Sequence, residues 1–175
     1  MNTANKLTML RVALIPVFLV LLYLPVPFHT EFALVIFILA SVTDFIDGYV
    51  ARHYHQITDF GKFMDPLADK LLVMSAMVWF VEVGWMPAWA FFVVIARELA
   101  VTGLRLVAVE QGRVIAAAKS GKVKTACTMV GIILMLIFPN ATLRLVCVAV
   151  ILVTTLYSGI EYFVKNKDVL AKGTM

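Results

Sequence analysis

The sequence predicts an all-α integral membrane protein of six transmembrane helices, with both termini in the cytoplasm. Three observations predict it. Of the 175 residues, 62% are hydrophobic and only 15% charged, with a mean hydropathy of +0.96. A soluble domain is nearer half apolar and a quarter charged. Apolar runs of about 20 residues recur, long enough to cross a hydrocarbon core of about 30 Å. When those runs are threaded through a bilayer, lysine and arginine gather on one side of it.

The first run, roughly 7–25, has Lys6 and Arg11 at its start. A secretory leader begins in the same way, but no small-x-small cleavage site follows and five more runs do. It therefore reads as a retained first helix, bent at Pro16. Pro25 and Pro27 separate it from the second run, roughly 32–52. The loop 52–60 leads to the third run, 62–83, and Gly84 and Pro87 introduce the fourth, 87–109. A polar stretch, 110–120, precedes the fifth run, 121–138, and Pro139 and Asn140 precede the sixth, 142–164. Pro, Gly, Asn and charged residues are the expected punctuation. Six helices leave little chain for anything else, so residues 1–175 read as a single membrane domain.

Orientation follows from charge. The N-terminal segment, the 52–62 loop, the 105–124 region and the C-terminal tail carry the cations, and only Arg144 falls on the other side. That asymmetry places both termini in the cytoplasm. Trp79, Trp85 and Trp89 then cluster at the outer interface as an aromatic belt. The basic excess fits topology and anionic headgroups. The cations are spread over several loops and form no nucleic-acid motif. Cys127 and Cys147 lie in apolar helices and read as small apolar residues.

Against this background four carboxylates stand out. Asp44, Asp47, Gly48, Ala51, Arg52, Gly61, Asp65 and Asp69 form the pattern D-x2-D-G-x2-A-R-x8-G-x3-D-x3-D. Ionisable groups inside a membrane are expensive and mark function. Asp44 and Asp47, spaced i, i+3, share one face of the second helix. Gly48 and Ala51 continue that face and let a substrate approach the backbone. Gly61, Asp65 and Asp69 form one stripe on the third helix. Four like charges within 26 residues repel unless cations lie between them. Two helices, each offering two carboxylates, build a metal cage. Hard oxygen donors favour Mg2+ or Mn2+ over zinc. Asp59, just ahead of the third helix, reads as a cap. His53 and His55 read as a solvated loop.

This eight-residue pattern resembles the signature of the CDP-alcohol phosphotransferases, membrane enzymes of phospholipid synthesis, and every fixed position matches. The resemblance extends to length and the six-helix plan. Three further stretches resemble the members that use sn-glycerol 3-phosphate: the one around Asn5, Thr8 and Arg11, the one from Arg97 and Glu98 to Gly103 and Arg105, and the one from Lys119 and Gly121 through Lys122 and Lys124 to Thr125. The resemblance implies transfer of the phosphatidyl group of CDP-diacylglycerol to that acceptor, with release of CMP. It also implies that Asp69 is the general base and that the protein is a homodimer. The apolar third and fourth helices offer surfaces for the second copy.

Phosphoryl transfer needs alignment and charge neutralisation more than covalent chemistry, and two metal ions hold both the entering and the leaving oxygen. Asp44, Asp47, Asp65 and Asp69 are the expected ligands, with Asp44 and Asp65 placed to bridge. Arg52 offers paired donors to the pyrophosphate, or serves only as a positive-inside residue. Asn5 and Thr8 contact the nucleotide, or cap the first helix. An acceptor that is a phosphate ester needs a cationic pocket, for which Arg97, Arg105, Lys122 and Lys124 are the candidates. The two lysines sit in what reads as the first turn of the fifth helix, where the dipole disfavours cations and a bound anion would repair the mismatch. Lys119, Lys122 and Lys124 also suit a plain topology signal. Lys70 neutralises the carboxylates or snorkels.

Other readings fit less well. An intramembrane prenyltransferase also uses aspartates and Mg2+, but needs more helices and has no use for the G-x2-A-R element. A cation transporter predicts polar residues along both halves of a pathway, whereas charge here is concentrated in the cytoplasmic half. A phosphatidic-acid phosphatase needs catalytic histidines, and His29, His53 and His55 form no such motif. Within the family, serine, inositol phosphate or phosphatidylglycerol are the alternative acceptors.

Overall fold

In a computed structural model, the backbone is described for residues 3–53, 59–116 and 118–171. Among these, side chains are not described for 3–4, 44–53, 59–60, 62–63, 65 and 170–171. The described residues are helical with short connections: α1 (Thr3–Tyr23), α2 (His29–His53), α3 (Asp59–Glu82), α4 (Ala88–Glu110), α5 (Lys119–Ile137), α6 (Ala141–Lys165) and α7 (Lys167–Ala171). The first six stand where the six apolar runs lie. The short α7 has no apolar run behind it. Three helical segments, Asn5–Tyr23, Lys119–Ile137 and Ala141–Lys165, are long and apolar enough to cross a membrane.

The chain divides into two compact units. One comprises Met1–Trp79 with Leu136–Pro139, and the other Phe80–Met135 with Asn140–Met175.

In the first unit, α1 and α2 pack along their length. A five-residue connection, 24–28, makes them an antiparallel pair. Each buries a stripe at the three- and four-residue spacing of a helix face: Ile15, Phe18 and Leu22 on α1, and Ala33, Phe37 and Ala40 on α2. The Phe18 and Phe37 rings meet at 5.6 Å between centroids. The α1 stripe continues toward the N-terminus in polar residues, Asn5, Thr8 and Arg11, and all three are buried. Arg11 is 0% exposed.

In the second unit, α4 packs against α6 and α7. Val101, Leu104 and Ala108 of α4 meet Tyr162 of α6 and Val169 of α7 in one apolar cluster. Gln111 donates to the Val169 carbonyl at 3.0 Å, and Arg113 pairs with Asp168, so α7 is tied to the end of α4. Helix ends follow local chemistry. Gly84, at φ +72°, turns the chain after α3, and the Trp85 N–H bonds back to the Phe80 carbonyl at 2.7 Å. Asn140 caps α6 by accepting from the N–H groups of Thr142 and Leu143 at 2.9 and 3.1 Å. Arg144, one turn further on, lies 3.5 Å over the Trp85 ring. That cation–π contact gives the arginine a partner.

Candidate active site

The acidic pattern falls on α2 and α3. Both helices are continuous through it, α2 to His53 and α3 from Asp59. The i, i+3 relation of Asp44 to Asp47 and the i, i+4 relation of Asp65 to Asp69 are therefore helical relations of the backbone. The side chains of Asp44, Asp47, Gly48, Ala51, Arg52, His53, Asp59 and Asp65 lie outside those described, and His55 lies outside the described backbone. Asp69 and Lys70 are half-buried, and Gly61 is buried. Among the described residues no three His, Cys, Asp or Glu groups converge, and only one of the four expected ligands, Asp69, is among them.

Does this donor set fit a divalent metal? Two carboxylates per helix, on consecutive helices, supply hard oxygen donors in the number an Mg2+-type site uses. Asp69 is set inside α3, well past its first turn. The residues fit.

Asn5 and Thr8 are 9% and 1% exposed. Because α1 starts at Thr3, both lie within the helix, and Thr8 is beyond the reach of a cap. The capping reading therefore fails for Thr8.

In the second unit, two of the four candidate cations come together. Arg97 Nη1 donates to Glu98 Oε1 at 2.9 Å, and Lys124 Nζ donates to the same oxygen at 2.7 Å. The Arg97, Glu98 and Lys124 side chains are only 13%, 14% and 8% exposed. Two cations on one carboxylate leave an excess positive charge in a largely dehydrated place. Small residues make the room: a Cβ at Gly121 would lie 3.8 Å from Arg97 Nη2, and one at Gly159 only 3.1 Å from Arg97 Cγ. Arg97 Nε is buried with no hydrogen-bond partner among the described residues.

Lys124 is displaced from its expected place. Since α5 begins at Lys119, Lys124 lies in the second turn, and Glu98, not the helix dipole, accounts for its position. Arg105 and Lys122 are exposed and do not join this group among the described contacts. Arg105 reaches the Ile115 carbonyl at 3.4 Å, a long bond. Lys119 opens α5 and is exposed. Cys127 and Cys147 are free thiols. Two features went unread in the sequence, the full burial of Arg11 and the role of Gly159. A Ser-Gly pair, Ser158 and Gly159, within an apolar helix was the available signal for the second.

The chain thus sets two pairs of aspartates on consecutive helices of a largely apolar protein. The model of the family described as CDP-alcohol phosphatidyltransferase matches residues 1–159, and the chain belongs to that family. Its members are in general dependent on a divalent metal. The chain is 42% identical to the CDP-diacylglycerol–glycerol-3-phosphate 3-phosphatidyltransferase of Bacillus subtilis (strain 168), with 97% of each chain covered. The protein of that name from Escherichia coli (strain K12) is 40% identical over 92% of each chain. A probable phosphatidylglycerophosphate synthase of Mycobacterium tuberculosis (strain H37Rv) is 39% identical over 92% of this chain and 79% of its own.

Proposed function

We propose that this protein transfers the phosphatidyl group of CDP-diacylglycerol to sn-glycerol 3-phosphate, giving phosphatidylglycerophosphate and CMP. Family membership and the names of its relatives support the reaction. The observation that carries the acceptor is the shared hold of Arg97 and Lys124 on Glu98, because its surplus positive charge suits a phosphate ester. Serine has no phosphate to meet that charge.

Asp44, Asp47, Asp65 and Asp69 would hold the divalent metal, Mg2+ or Mn2+, as two ions. Such a site would supply positive charge to neutralise the pyrophosphate and to align the entering and leaving oxygens. Arg52 meets the pyrophosphate, with Gly48, Ala51 and Gly61 leaving room for the donor. Asn5 and Thr8 contact the nucleotide. Asp69 takes the proton of the acceptor hydroxyl, which attacks the phosphorus bearing diacylglycerol. Metal ligation lowers a carboxylate's proton affinity, so Asp69 serves as base only if it is weakly held. Arg97, Arg105, Lys122 and Lys124 receive the acceptor phosphate.

All six long helices span the cytoplasmic membrane in this reading. The cation asymmetry puts both termini and the chemistry on the cytoplasmic side, and residues 1–175 act as one catalytic domain. Side-selective labelling of single cysteines placed at 113 and 140 tests that orientation; modification of both from one face would overturn it. The protein works as a homodimer, and a monomer mass in mild detergent with full activity would sink that element. The reaction itself is tested by supplying purified protein with CDP-diacylglycerol and a panel of acceptors and scoring CMP release. Glycerol 3-phosphate should be the best acceptor. A preference for serine, inositol phosphate or phosphatidylglycerol would displace the assignment.

A further inference from the structure

The α1–α2 pair contains a fully buried arginine whose partner can be reasoned out from helix register. The buried stripes of the two helices step by the same three and four residues, so in an antiparallel pair with Phe18 level with Phe37, Leu22 falls level with Ala33 and Ile15 with Ala40. The Phe18–Phe37 ring contact pins that register. Seven residues back along α1 from Phe18 stands Arg11, and seven residues on along α2 from Phe37 stands Asp44. At 1.5 Å per residue each lies about 10 Å from the ring contact in the same direction. The next step sets Thr8 level with Asp47. Helix α1 contains no acidic residue; of the other two acids of α2, Asp47 stands a step further on, level with Thr8, and Glu31 lies at the far end of the pair. A guanidinium with 0% exposure, in a helix apolar enough to cross a membrane, needs an anionic partner.

We propose that Arg11 is the ionic partner of Asp44, a positioning residue that holds the first carboxylate of the acidic pattern in place before divalent metal enters. It offsets one of four converging negative charges in the metal-free protein. Only in taking Asp44 as a metal ligand does this rest on the proposed function.

Thermal melting of the purified full-length protein in detergent with chelator, and without substrate, tests the pair. Arg11→Gln should lower Tm by about 5 °C or more, since one charge of a buried pair is stranded. Arg11→Lys should recover part of the loss. Asp44→Asn should lower Tm in the native background, where it strands Arg11, and raise it in the Arg11→Gln background, where it relieves repulsion. Added Mg2+ should raise Tm more in Arg11→Gln than in the native protein, because the metal replaces the missing cation. Additive effects of Arg11→Gln and Asp44→Asn would overturn the pair, as would a coupling of Arg11 to Asp69 that equals or exceeds its coupling to Asp44. If Arg11→Gln fails to accumulate, the pairing requires the double variant with Asp44→Asn to accumulate, and failure of both would overturn it. Since no turnover is read, loss of this pairing leaves the proposed reaction standing, and loss of the reaction leaves the pairing standing.

Discussion

Gly159 of α6 lies directly against the side chain of Arg97 of α4: a Cβ placed on the glycine would come within 3.1 Å of Arg97 Cγ. The atom in the way is near the root of the arginine side chain, so it yields less readily than a guanidinium tip. Ordinarily Gly→Ala inside a helix stabilises by about 1 kcal/mol. Here Gly159→Ala should instead displace Arg97 and raise the KM for glycerol 3-phosphate several-fold, with that for CDP-diacylglycerol little changed. Gly159→Val should do so more strongly. Kinetics with both substrates varied would check this. A more stable variant with unaltered kinetics would show that Arg97 gives way freely.

The acidic pattern makes a second prediction. Chelator should abolish CMP release, and Mg2+ or Mn2+ should restore it. Asp44→Asn, Asp47→Asn and Asp65→Asn should each remove turnover while leaving an inserted, folded protein, because each replaces an anionic oxygen donor with a neutral amide. Near-normal turnover in any of the three would remove that residue from the ligand set.

A third prediction separates the two roles given to Asp69. If it accepts the acceptor's proton, Asp69→Asn should lose turnover more completely than it loses affinity for CDP-diacylglycerol. Donor binding measured apart from turnover would decide. Should the two fall in step, Asp69 is a ligand alone.

How much of this was legible in the sequence depends on how local each signal is. The six long helices follow from apolar runs and their Pro, Gly and Asn breaks, and Asn140 and Gly84 do end or start helices as such residues should. Five-residue α7 was not legible, because its order comes from Val169 and Asp168 meeting α4 residues far earlier in the chain. The acidic pattern was legible through spacing alone. The Glu98–Lys124 bond joins residues 26 apart, and nothing in either segment names the other. Taking α5 to begin at 121 rather than at Lys119 also misplaced Lys124 by part of a turn. Arg11 was hidden for a different reason. A cation near the start of a first helix is what topology demands, so its sequence position suggested exposure where the structure shows none.

The last prediction concerns the acceptor, and Arg105 is the cleanest probe of it. Truncating Arg97 or Lys124 would leave Glu98 short of a partner in a largely buried place, so lost stability would be mixed with lost binding. Arg105 is exposed and, among the described residues, makes only a 3.4 Å bond to a backbone carbonyl, so removing it strands none of them. If its guanidinium meets the acceptor phosphate, Arg105→Ala deletes a charge-assisted contact of about 1.5–3 kcal/mol. That is roughly a 10- to 150-fold effect, expected in the dependence on glycerol 3-phosphate concentration. Melting temperature should hardly move. The dependence on CDP-diacylglycerol should also change little, because Arg52 and the metal-binding aspartates hold the donor. Kinetics with both substrates varied, read beside a melting curve, distinguish the outcomes. A loss confined to the lipid substrate would assign Arg105 to the donor. No loss at all would leave the acceptor phosphate to Arg97 and Lys124.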